Sequence, residues 1–392
     1  MRRKRQIKKV IWMTALFFFL VFSAYKPVYA QEAQSEVSDA VDFGSIWNNY
    51  NMSQLEDSLK QIIPDFNIDM QEILQNILHG EVGNALKLLW EGIQGKLLAE
   101  IGGMKNIFVS ILVLGIISAF FFNFTDVFKT HQIADIGFYL LYLLLMAVLM
   151  KSFLAAAGIA SKAVGDIVMF IKMFIPTYFM AVGAAAGAAT AVVYYQFTLF
   201  LVYGVEKILQ CVLLPLIYGY VILALMNGIW AEERLVLILE FLKKGIGFGL
   251  KVAMGAITGF SLFQSMITPV IDSLHTSAVK KAISVIPGIG NFAEGVTEMV
   301  IGSAVLIKNS IGVLLLLLLL AVCLIPLIKL FLIACVVKGS AALIGIVSDK
   351  RITGCTDRVG DGNMLLFKTT FTAMALFIIT IAIVAYTTGK GI

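Results

Sequence analysis

The chain has 392 residues, 59% hydrophobic and only 14% charged, with a mean hydropathy of +0.91. A water-soluble domain averages about 45–50% apolar and about 25% charged residues, so an ordinary soluble globule is excluded. The +5 net charge does not point to nucleic acid. Residues 1–30 hold Arg2, Arg3, Lys4, Arg5, Lys8, Lys9 and Lys26 with no acid, and removing those seven from 30 bases leaves 23 against 25 acids.

The leader has the three parts of a secretory signal. A basic stretch ends at Lys9, Val10–Ala24 is apolar, and Val28-Tyr29-Ala30 resembles a cleavage site, with cutting expected between Ala30 and Gln31. The alternative is a retained anchor helix. In both cases the basic cluster holds the extreme N-terminus in the cytoplasm, so the segment that follows is exported.

Residues 31–106 form that extracytoplasmic segment. Residues 31–42 are acidic and polar. Ser53 and Glu56 then have capping-box spacing ahead of Leu55, Leu59, Ile62 and Ile63, and Pro64 ends the helix. Asp69 can cap a second short helix carrying Ile73, Leu74, Ile77 and Leu78. A third helical run begins near Glu81. These apolar faces are too small for a core of their own and need the membrane domain, the bilayer surface or a partner.

Residues 107–392 are expected to be a polytopic membrane domain, making the chain an all-α protein with about seven or eight spans. Expected crossings are Ile107–Phe124, Ile136–Ala157, Ile167–Ala189, either two or one plus a half-helix within Ala191–Trp230, Gly247–Ile271, Ile311–Val337 and Leu365–Thr388. Ala231–Gly245 is expected to be an amphipathic cytoplasmic linker. Residues 338–364 are expected to be a cytoplasmic loop, given Lys338, Lys350, Arg351 and Arg358. Pro176, Pro215, Pro269 and Pro326 are expected to kink or break spans. Lys151, Lys172, Glu206, Lys207, Lys251 and Lys329 interrupt apolar runs, so they either snorkel to an interface or face protein or water.

The most distinctive stretch is 279–310. Pro287-Gly288 is a turn signal inside an apolar segment, followed by Ile289-Gly290. Asn291, Glu294 and Glu298 then recur at helical spacing as one polar stripe, and Lys308-Asn309 lead into the next span. Such a segment is either a re-entrant element lining water or an amphipathic helix in the interface. Nothing catalytic accompanies it: no HExxH, GxSxG or P-loop motif occurs. The cysteines (Cys211, Cys323, Cys335, Cys355) and histidines (His79, His131, His275) lack metal or disulfide spacing, so no cofactor, metal or enzymatic role is expected.

The run from Lys280 to Gly345, with its IPGIG turn, its LIKNSIG join and its span ending in PLIKL, resembles the stage III sporulation protein AE family. The resemblance implies a membrane component of the channel assembly that links the mother cell to the engulfed forespore. It would sit in the mother-cell membrane around the forespore. Its implied partners are the lipid bilayer and other stage III sporulation membrane proteins, including an ATPase and ring-forming components. The family supplies no catalytic residues to carry over. A stand-alone secondary transporter of unknown substrate is the alternative, since intramembrane charges and broken helices mark such proteins.

Overall fold

The computed structural model describes residues 52–62, 69–125, 131–186, 207–229, 234–256, 290–346 and 348–387, with a few isolated positions between them. All of these fall in one compact unit, Phe43–Ile392. The leader and its Ala30–Gln31 junction lie outside the described residues.

Every element among the described residues is helical apart from turns. Helices α1 (Met52–Ile62) and α2 (Met70–Leu78) precede α3 (Val82–Thr125) and α4 (His131–Ala186). A π-helical turn, Leu209–Leu213, leads into α5 (Leu214–Asn227), and α6 covers residues 236–256. Helices α7 (Gly290–Ile344) and α8 (Lys350–Thr387) complete the series.

Helix α2 starts where the sequence places a cap. The Asp69 carboxylate accepts from the Gln71 N–H at 2.8 Å and the Glu72 N–H at 3.4 Å, occupying donors that a helix N-terminus leaves free. Met70, Ile73, Leu74, Ile77 and Leu78 of α2 are buried, as are Met52, Leu59 and Ile62 of α1. Helix α1 packs on α4, and α2 packs on α3 and α7, so the apolar faces of the short helices rest on the long ones.

Among the described residues four helices are long and apolar enough to cross a membrane, over Ile136–Ala184, Leu209–Asn227, Val305–Ile344 and Lys350–Ala382. The expected total of seven or eight includes segments outside the described residues, but one expected pair of crossings is joined. The expected spans Ile136–Ala157 and Ile167–Ala189 fall largely in one unbroken helix, α4, whose 56 residues are about 84 Å long at 1.5 Å per residue. The polar residues between them, around Lys162 and Asp166, lower the hydropathy without containing any helix breaker. A dip in hydropathy is therefore not a turn. Several other expected crossings, including much of 191–208 and 257–271, lie outside the described residues.

Proline behaves differently at each site. Pro176 and Pro326 lie inside continuous helices. Pro215 stands at the start of α5, directly after the π turn, where the Leu214 N–H reaches back to the Leu209 carbonyl. A proline there cannot donate and its ring crowds the carbonyl four residues earlier, so the ladder widens by one residue.

The expected loop 338–364 is mostly helix. Helix α7 continues to Ile344, a turn around Gly345 and Ile346 follows, and Asp349 begins α8. The Asp349 carboxylate accepts from the Arg351 N–H at 2.7 Å, so the residue read as part of a polar loop is a helix cap. Likewise, α6 runs through Gly245, Gly247 and Gly249 without interruption, joining the expected linker to the expected span.

Neighbouring contacts set the relative directions. Phe331 meets Phe367 with ring centroids 5.5 Å apart, and Lys338 meets Asp361, so α7 and α8 form an antiparallel hairpin. Gly312 lies against the Tyr178 ring, and Asp166 is close enough for its charge to act on the Cys323 thiol. Residue numbers rise along α7 as they fall along α4, so these two helices are also antiparallel.

Candidate functional site

Two polar centres interrupt the apolar helices, and they differ in whether the fold closes them. The first gathers on α8. Asp361 pairs with Lys243 of α6 and, at 2.6 Å, with Lys338 of α7, while Lys338 also reaches Asp357 at 3.2 Å. One carboxylate thus ties three helices together. Lys368, two turns further along the same face of α8, sits in the combined field of Lys243, Lys251, Lys338 and Asp361.

Glycines let the backbones come this close. A Cβ at Gly360 would lie 2.6 Å from Lys338 Cγ, and one at Gly362 would collide with Val221 Cγ2. Asn363, next in sequence, is fully buried with both amide atoms lacking a partner. Nearby, the Tyr142 hydroxyl donates to the Leu225 carbonyl at 2.5 Å, and the Asn227 side chain accepts from the Leu235 N–H at 2.7 Å, fixing the end of α5. The Asp361 carboxylate is mostly buried and paired with a lysine from each of two other helices, which suits a pin that sets helix register.

The second centre is open. Along α4, Lys151, Ala155, Gly158, Lys162, Gly165, Met169 and Lys172 recur at alternating steps of four and three residues. All are exposed except Gly165, which is half-exposed. Asp166 stands one turn after Lys162, and the two charges interact. A Cβ at Gly158 or Gly165 would meet nothing within 4 Å.

The depth of this face follows from α7. That helix has the highest mean hydropathy of the four, 3.2, and Ile311–Ile328 contains no charged residue. If any segment occupies the hydrocarbon core, this one does. The pairs Gly312–Tyr178 and Cys323–Asp166 put residues from about 162 to 178 of α4 beside it. Lys162 and Asp166 therefore lie at hydrocarbon depth, where a charged residue facing lipid costs about 2.5–3.5 kcal/mol. Such a face needs protein or water beside it.

Of the residues singled out in sequence, Pro287 and Gly288 lie outside the described residues. Gly290 is the first residue of α7, and Asn291, Glu294 and Glu298 follow within that helix, with their side chains outside the described set. Lys308 is wholly buried and Asn309 is exposed, one turn before Gly312 in the same unbroken helix. Sequence reading did not single out Lys162, Asp166 or Asp361. The available signal was spacing: Lys162 and Asp166, like Asp357 and Asp361, are four residues apart and share a helix face.

Comparison with known proteins places the chain in a family. No solved structure matches the chain. The chain is similar to the stage III sporulation protein AE of Bacillus subtilis (strain 168), with 23% identity over 261 residues, covering 66% of this chain and 65% of that protein. It thus spans just under two thirds of that relative's length. The family model described as stage III sporulation protein AE matches residues 68–388, which include α2 to α8 and both polar centres. On that match, the chain belongs to the stage III sporulation protein AE family.

Proposed function

We propose that this protein is a non-enzymatic membrane component of a channel assembly joining the mother cell to the engulfed forespore during endospore formation. It would reside in the mother-cell membrane, with residues 31–106 on the extracytoplasmic side. An ATPase and ring-forming proteins of the same sporulation stage would be its partners.

Family membership supports the sporulation role. The observation that carries the assembly reading is the open face of α4. Charges at hydrocarbon depth on a face that the described residues leave exposed are expected of a subunit with neighbours. The polar stripe of Asn291, Glu294 and Glu298 would supply a water-facing element in the same assembly.

The test is genetic. In a spore-forming host whose own copy is replaced by this gene, Glu294→Ala combined with Glu298→Ala should arrest development after engulfment, with normal protein level and a large loss of heat-resistant spores. Wild-type spore titres from that double variant would remove the water-facing role. Normal sporulation after complete deletion of the gene would remove the functional reading itself.

The transporter alternative draws on the same Lys162–Asp166 pair, since intramembrane charges also mark transport sites. Solute uptake by the purified protein alone in liposomes would favour it over the assembly.

A further inference from the structure

We propose that the exposed face of α4 is where two copies of this chain meet in the membrane, with Lys162 of each copy paired to Asp166 of the other. The inference rests on the chain being a membrane subunit, but not on its role in any channel.

Three observations carry it. The exposed positions Lys151, Ala155, Gly158, Lys162, Gly165, Met169 and Lys172 follow a 3.5-residue repeat, the pattern of a helix that packs along a second helix. Ala155, Gly158 and Gly165 are small, and a Cβ at either glycine would meet no described residue within 4 Å, so another backbone can approach closely there. The charges are complementary to themselves. Copies in one membrane share one orientation, so a twofold axis along the membrane normal sets α4 beside α4 at equal depth. Lys162 and Asp166 are separated by about 6 Å of helix rise. A lysine side chain spans that distance, and the symmetry makes both pairs at once.

A surface meant for lipid would carry leucine or phenylalanine at these positions, as the exposed Phe241 and Phe248 of α6 do.

The test uses the full-length chain in membranes. Gly158→Cys and, separately, Ala155→Cys are oxidised, with Phe248→Cys on exposed α6 as the control. Both seam variants should give a disulfide-linked dimer at least about five times as abundant as the control. Lys162→Asp alone and Asp166→Lys alone, each in the Gly158→Cys background, should reduce that dimer about tenfold, because like charges then face each other. The exchanged pair, Lys162→Asp with Asp166→Lys, should restore it. Dye labelling of the buried Cys323 checks that each variant is folded. Equal dimer from seam and control positions would overturn the proposal, as would charge reversals without effect or an exchanged pair that fails to restore the contact. Spore formation is not the readout, so failure here is distinguishable from failure of the sporulation role.

Discussion

Replacing Asp361 by asparagine keeps the shape of the side chain and removes the charge that joins α6, α7 and α8. The Asp361 side chain is 17% exposed, against 28% for Lys338 and 46% for Lys243. Loss of one partner from a buried ion pair costs about 3–5 kcal/mol, whereas exposed pairs contribute about 0–1 kcal/mol. This centre lies between those limits. Lys338 keeps Asp357 at 3.2 Å, and the half-exposed Lys243 can turn to water. About 2 kcal/mol of destabilisation is therefore expected for Asp361→Asn. Lys244→Gln, which removes only the exposed pair with Glu240, should cost under about 0.5 kcal/mol. The assay is thermal unfolding of the full chain in detergent, followed with a thiol-reactive dye. Cys211 and Cys335 are exposed and set the baseline, while Cys323 and Cys355 are buried and report unfolding. Equal unfolding midpoints for the two variants would refute the idea that the Asp361 centre pins the three helices.

The packing at Gly362 gives a second ordering. Gly362→Ala would drive a methyl group into Val221, an overpacking cost of about 1–3 kcal/mol, and Val221→Ala in the same chain should recover most of it in the dye assay. At the other extreme, Asp69→Ala removes the cap of α2 and should cost about 1 kcal/mol, confined to that helix. Hydrogen exchange should quicken over residues 70–78 while the amides of α8 are unchanged; a general rise in exchange would show that α2 supports the whole domain.

Parts of the fold were legible because they depend on short-range chemistry. The Asp69 cap, the apolar stripe of α2 and the long apolar runs after residue 106 follow from spacing and composition alone. The turn count was less legible. Hydropathy separated Ile136–Ala157 from Ile167–Ala189, yet α4 passes straight through the polar residues between them. It also read residues 338–364 as a loop, because a sum of charges does not reveal that Asp357 and Asp361 meet Lys338 and Lys243 on neighbouring helices.

The sequence by itself determined that this is a helical membrane protein of a sporulation family, because apolar run length and family-specific motifs are both linear properties of the chain. Only the tertiary structure decided which charges are enclosed and which remain open. Asp361 and Lys162 both lie in apolar helices, and no local pattern separates them. Packing pairs the first with two lysines from other helices, whereas the described residues leave the face carrying the second exposed. Burial is set by residues far apart in sequence, and at hydrocarbon depth it decides which polar groups still require a neighbour.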